Sequence, residues 1–290
     1  LRDILPTVAA PLSISYGENV AYFPPPPGGG GGLTGQIWGS LTEVENYGGG
    51  SPADRVHMLA EAGQRAFAAR GGWLRGSDSA TGLLAEGRLE QLMAGFSERQ
   101  HNAAAVSAAS AVPAVSNPYT AGFAVADRWS SAVACSFTLN GLFGDGRVIP
   151  GTGIIVPKTA SLGADNLSAA IVASPFNGTL YFAGTASGGL AAPSALAGVM
   201  LEALEADAEL EAAIATPRVV NVGEPDVTYY EPDMDSAIVG ALRQRGHRLQ
   251  AESGVGRANA VMCSGGLRYE PETCVAATDK RGFGLSVLIQ

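Results

Sequence analysis

The chain has 290 residues, 46% of them hydrophobic and only 16% charged, which is enough apolar material for a sizeable core and argues against wholesale disorder. Its 18 basic and 27 acidic side chains give a formal net charge of −9, and only Lys158 and Lys280 are lysines. No basic cluster with interleaved aromatics is present, so a nucleic-acid partner is not expected, and the acidic balance with no long apolar run gives no reason to expect a membrane partner.

Along the chain, residues 20–32 read VAYFPPPPGGGGG, which by composition alone is a linker. Apolar residues press on both sides (Tyr22, Phe23, then Leu33, Ile37, Trp38), so a packed segment leading into a helix is the better expectation. No Gly-Lys-Ser/Thr follows the glycines, which excludes a phosphate loop. Ser51-Pro52-Ala53-Asp54 has the features of a helix start, and Val56, Leu59, Ala60, Gly63 and Phe67 continue at helical spacing. His57 lies beside that stripe and reads as a helix-surface residue. A second helix is expected over 82–94, from Leu84, Leu89, Leu92 and Met93.

Residues 100–118 are small and weakly polar, and read as a surface segment leading to a boundary, with His101 solvated. Strands are then expected at 120–127 and 131–138 around a turn near 128–130, followed by 170–173, 179–183, 218–222, 226–230, 258–263, 273–278 and 284–289. Helices are expected at 193–205, 209–215 and 233–245, the last stopped by Gly246. His247 then sits at a helix end, where the dipole accounts for it. The length suits one large domain or two small ones, and the order of elements suits a layered α+β fold better than a parallel βαβ sheet.

Conventional catalytic sets are thin. There is no HExxH or GxSxG, the histidines are scattered, and no metal-ligand spacing is present, so neither metal nor cofactor is expected. Cys135, Cys263 and Cys274 show no CxxC spacing; Cys263 and Cys274 could face each other across a hairpin, but buried free thiols are the preferred reading. Cysteine usage leaves the compartment open.

A set of landmarks in order along residues 20–290 resembles the gamma-glutamyltransferases. They are Tyr22-Phe23-Pro24-Pro25-Pro26 with the glycines after it, Met58-Leu59-Ala60-Glu61-Ala62, and Thr120 through Asp127. Phe137-Thr138-Leu139-Asn140, Phe143-Gly144, Gly151-Thr152-Gly153-Ile154, Gly188-Gly189, Thr216-Pro217-Arg218, Arg245-Gly246-His247 and Thr278-Asp279-Lys280-Arg281 follow. Each is weak alone; order and spacing together carry the likeness.

The resemblance implies the four-layer αββα sandwich of N-terminal-nucleophile hydrolases and a self-cleavage between Tyr119 and Thr120. Residues 1–119 then correspond to the end of a large-subunit-like segment and 120–290 to a small-subunit-like one, intertwined in one domain and able to form a heterodimer of cleaved halves. Cleavage frees the Thr120 α-amine, which titrates at about 7.7–8.0 and can act as base for the residue's own hydroxyl, so no histidine is needed. By the same resemblance Thr138 supports activation of Thr120, Asn140 contacts substrate or nucleophile, Ser168 belongs to the substrate site, and Gly188 and Gly189 offer N–H groups to an oxyanion. The implied activity is amide hydrolysis or acyl transfer on a small amide or peptide.

The substrate-recognition part departs from the family pattern. Two adjacent serines are expected for an α-carboxylate where this chain has Ser168-Ala169, and the stretch Pro157–Leu162 lacks the carboxylate that would receive an α-amino group. Altered acyl specificity is therefore expected, and a catalytically silent binding or scaffold protein stands as the alternative. The opening Leu1-Arg2-Asp3, without methionine, reads as a processed or truncated chain.

Overall fold

A computed structural model describes residues 8–44, 46–75, 82–104, 119–158 and 166–289. The expected cut-site flank 105–118, and the 159–162 part of the recognition stretch, lie outside them. The chain begins with a hairpin that sequence pattern did not suggest, β1 (Leu12–Tyr16) and β2 (Asn19–Phe23). The glycine run then enters α1 (Gly29–Gly39), every residue of which is buried. The glycines are there for closeness: a Cβ on Gly30 would stand 2.1 Å from Leu167 O, and one on Gly31 2.1 Å from Pro24 O. Gly30, Gly31 and Gly32 therefore form a packing surface here, in a helix that propensity alone would disfavour.

The long helix α2 (Pro52–Arg75) starts as its sequence dictates. Ser51 N donates to Asp54 Oδ2 at 3.1 Å while Asp54 N donates to Ser51 Oγ at 3.3 Å, a reciprocal capping box. After α3 (Glu86–Met93), the chain forms β3 (Thr120–Ala126) and β4 (Ala132–Thr138), paired antiparallel with Thr120 opposite Thr138. The turn between them is held by Asp127 Oδ1, which accepts from Trp129 N and Ser131 N at 2.9 and 3.0 Å. A short strand β5 (Leu142–Asp145) follows.

Strands β6 (Ser168–Ala173), β7 (Leu180–Ser187), β11 (Arg257–Cys263) and β12 (Cys274–Thr278) complete a six-stranded antiparallel sheet in the order β1-β2-β6-β7-β11-β12. Between them lie α4 (Ala192–Leu204), α5 (Leu210–Ala215), β8 (Val219–Asn221), β9 (Thr228–Tyr230), α6 (Ser236–Gln244) and β10 (Leu249–Ala251). β8, β9 and β10 form a separate three-stranded sheet.

Adjacent residues of β7 reveal the layering. A Cβ on Gly184 would meet Leu196 of α4 at 3.2 Å, whereas Thr185 reaches Gly122 of β3 on the other face. Helices α1 and α4 thus cover one face of the large sheet and the β3–β4 hairpin lies across the other. The expected α+β class holds, and the described residues supply three layers in the order helix, sheet, sheet. The hairpin's outer residues Phe123, Val125, Val133 and Phe137 are about half exposed.

Two expectations need correction. Cys263 and Cys274 are directly opposed in the β11–β12 ladder and form a disulfide, because the antiparallel register brings their Cα atoms to 4.0 Å. Residues 284–289 form no strand: Gly282 N bonds back to Asp279 O at 3.0 Å, turning the chain out of the sheet, and Leu285, Val287 and Ile289 are left exposed.

Candidate active site

Residue 120 opens β3 beneath the turn that joins β7 to α4. Gly188 N donates to Thr120 Oγ1 at 2.9 Å. This turn is possible because Gly188 and Gly189 both take positive φ, 124° and 64°. A Cβ on Gly188 would stand 2.8 Å from Gly256 Cα, a backbone atom with no freedom to withdraw. Gly188→Ala is therefore expected to strain the turn by about 1–3 kcal/mol and pull its N–H off Thr120, measurable as a lower thermal midpoint. Behind the turn, the N-terminus of the 13-residue α4 adds a favourable field for negative charge.

Across the ladder, Thr138 Oγ1 donates to Tyr119 O at 3.1 Å, and Leu139 N donates to the same carbonyl at 3.4 Å. Thr138 Oγ1 in turn accepts from Asn140 N at 3.0 Å. Asn140, at φ 53°, directs its amide to Lys158 O at 3.1 Å and so ties the 155–158 segment to the end of β4. Tyr119, Thr120, Thr138, Gly188 and Gly189 are thereby brought together. Asn140 joins them through its backbone. Ser168 faces Ala186 in the β6–β7 ladder, fully buried, with its hydroxyl on Asn166 O at 3.4 Å.

The histidines that the sequence scatters converge elsewhere in the fold, which overturns the surface reading of His57 and the solvated reading of His101; His247 does follow the end of α6, but the other histidines, not the helix dipole, account for it. His57 is 0% and His247 5% exposed. His57 Nε2 lies 2.8 Å from Ser97 O, a pure acceptor, so that nitrogen carries the proton and His57 Nδ1 accepts from His247 Nε2 at 2.8 Å. His247 Nδ1 then accepts from the Thr228 hydroxyl at 2.9 Å, and Thr228 accepts from Asn221 Nδ2 at 3.1 Å. Burial, reinforced by the charge on His101, pushes His247 down to about 3, so it stays neutral.

Of the described His, Cys, Asp and Glu residues, His57, Glu61 and His247 are the group close enough to share a cation. Their facing atoms are already saturated by this directed chain of protons and by Arg65 Nη1, 2.5 Å from Glu61 Oε2. The cluster is accordingly read as a lock joining α2, β9 and the loop after α6.

His101 completes the lock between two carboxylates, Glu61 and Asp226, the latter at 2.9 Å. Burial alone would lower its pKa, but the hydrogen bonds to Glu61 and Asp226 prevail and raise it. A raised folded pKa means its stabilisation is complete below about pH 6.5 and is lost as pH rises through the folded value. His101→Ala is expected to cost about 3 kcal/mol at pH 6, and less at pH 9, in urea unfolding. An equal cost at both pH values would refute a charged clamp.

Sequence reasoning missed this cluster because its three histidines are 44 to 190 residues apart in pairs, and the local signal is His57 and Glu61, one helical turn apart.

Comparison with known proteins bears on the site. A family model described as gamma-glutamyltranspeptidase matches residues 1–161 and 164–288. No curated protein sequence matches the chain. Among solved structures, cephalosporin acylase from Bacillus halodurans is similar at a TM-score of 0.73 and 21% identity, over 93% of this chain and 51% of that one. The protein LmbA2991HD is similar at 0.68 and 22%, over 94% of this chain and 54% of that one. Identities this low speak to the fold, and the chain spans about half the length of these two relatives.

Proposed function

The chain belongs to the gamma-glutamyltranspeptidase family, and from that premise we propose that it is a self-processing N-terminal-threonine amidohydrolase or acyltransferase whose nucleophile is Thr120. The observation that carries this reading is the contact of Gly188 N–H with Thr120 Oγ1 at 2.9 Å, opposite a Tyr119 carbonyl that accepts from Thr138.

In the uncut chain the Thr120 hydroxyl attacks the Tyr119 carbonyl carbon. The oxygen of that carbonyl gains negative charge, and it already accepts from the Thr138 hydroxyl and Leu139 N–H. Donors preset on a developing oxyanion are worth roughly 2.7–4 kcal/mol each. Collapse breaks the C–N bond and leaves an ester on Oγ; water then releases the Tyr119 carboxylate and a Thr120 bearing both a free amine and a free hydroxyl.

In turnover the amine takes the hydroxyl proton as Oγ attacks an amide carbonyl. Gly188 and Gly189 supply N–H groups to the resulting oxyanion, and the leaving amine departs with the proton. Water or a second amine then takes the acyl group from Thr120. Asn140 acts by holding Thr138 and the 155–158 segment in place, and Ser168 shapes the strand beneath the turn.

Intact mass under denaturing conditions tests the first half. Two pieces with Thr120 at the new N-terminus are expected, whereas a persistent full-length chain refutes self-cleavage. A panel of acylated chromogenic amides, gamma-glutamyl among them, tests the second.

A further inference from the structure

The β3–β4 hairpin is tied to the large sheet at one rung. Gly122 of β3 lies opposite Ser136 of β4, and Asn259 of β11 lies opposite Thr185 of β7. Asn259 Nδ2 donates across the layers to Gly122 O at 3.1 Å, and Ser136 Oγ donates to Ala186 O of β7 at 3.4 Å. The layers approach closely here because residue 122 has no side chain. A Cβ there would stand 2.5 Å from Thr185 Oγ1 and 3.1 Å from Cys135 O.

Asn259 is itself braced from behind. Its Oδ1 accepts from Asp279 N at 3.5 Å, and the Asp279 carboxylate is fixed by Arg218 and Arg281 at 3.2 and 3.0 Å. Ladder hydrogen bonds lie within their own sheet and do not join one layer to the next. The amide of Asn259 does. Thr120 is two residues from Gly122 on the same face of β3, so the rung at Gly122 sets where Thr120 Oγ1 meets Gly188 N, 2.9 Å away.

We propose that Asn259 is a positioning residue of this site, whose amide keeps the Thr120 end of β3 beneath the Gly188 turn once the 119–120 bond is cut. This rests on the reading of Thr120 as nucleophile. In the uncut chain Thr120 is held on both sides, for Tyr119 O accepts from Thr138 Oγ1 at 3.1 Å and from Leu139 N at 3.4 Å. Scission releases Tyr119 with both bonds and makes Thr120 a chain end, which frays unless it is tied down. The tie at Gly122 is therefore needed for turnover and not for self-cleavage.

The experiment compares the wild-type chain with Asn259→Ala and Asn259→Asp. The aspartate keeps the shape and can still accept from Asp279 N, but its carboxylate has no proton to offer Gly122 O, and it carries the test should the alanine chain not fold. Denaturing mass spectrometry should show all three cut alike. On a p-nitroanilide that the wild type turns over, kcat should fall about 10- to 100-fold in both variants, with KM within about twofold. Hydrogen exchange over residues 120–126 of the cut chain, which needs no turnover, should quicken in both. A cut variant with wild-type kcat or wild-type exchange overturns the proposal. A loss confined to Asn259→Ala also overturns it, since packing and not the hydrogen bond would then be at work. Variants left uncut beside a cut wild type overturn it as well, because the tie would be needed before scission. Failure of the Thr120 reading is seen separately, as an uncut wild-type chain.

Discussion

Replacing Thr120 with alanine is expected to leave the chain whole at the 119–120 bond and to lower amide turnover by a factor on the order of 10⁴–10⁶. The size follows from the double role assigned to this residue. Alanine removes the hydroxyl that attacks, and without the cut the α-amine stays locked in a peptide bond and cannot act as base. The three histidines are committed to the lock, while Thr120 Oγ1 accepts from Gly188 N–H and Tyr119 O accepts from the Thr138 hydroxyl. Thr120→Ser retains both functions and should still be cut. Denaturing mass spectrometry and a p-nitroanilide assay read the two effects apart. A Thr120→Ala chain that is cleaved and active would end the proposed mechanism.

Asp279→Ala is expected to destabilise the fold by about 3–5 kcal/mol, the largest effect foreseen outside the nucleophile. The carboxylate is 1% exposed and binds Arg218 at 3.2 Å and Arg281 at 3.0 Å, while its Oδ2 accepts from Ala258 N at 3.0 Å. Removing it strands the Arg218 guanidinium, 5% exposed, with too little counter-charge. Burial and the neighbouring Arg281 charge pull Arg218 below its ordinary value, and Asp279 and Glu231 work against that pull, so losing Asp279 leaves the buried cation less favoured still. Glu231 bonds Arg281 at 2.5 Å and Arg218 N at 2.8 Å, so the damage extends to both ends of the network.

The sign with pH is fixed by the direction of the shift. Burial would raise Asp279, but Arg218, Arg281 and two backbone donors hold it below the ordinary carboxylate value. Its contribution is therefore complete above about pH 3.9 and is lost as pH falls through the lower folded value. Urea unfolding at pH 7 measures the cost, and a midpoint equal to wild type would show that the network contributes nothing.

Legibility varied with how local each signal was. The capping box of α2 and the alternating residues of β3 and β4 were readable because two to four neighbouring residues define them. The landmarks Thr120, Thr138 and Gly188-Gly189 were readable by likeness, and all of them meet at one turn. The hairpin β1–β2 left no distinctive pattern, and residues 284–289 carry apolar character without a partner strand to receive it. The glycine run misled by composition, since only the atoms of Leu167 and Pro24 explain why side chains are excluded there.

Propensity, capping and periodicity act over a few residues, and so most of the helices and strands and the α+β class were inherent in the chain as written, while the candidate nucleophile was legible through the family resemblance. The pairing of Cys263 with Cys274, the convergence of His57, His101 and His247, and the contact of Gly188 N–H with Thr120 were not. Each depends on strand register or on helices meeting across long loops. A contact between residues so far apart is set by how the layers stack, which no short window of sequence encodes.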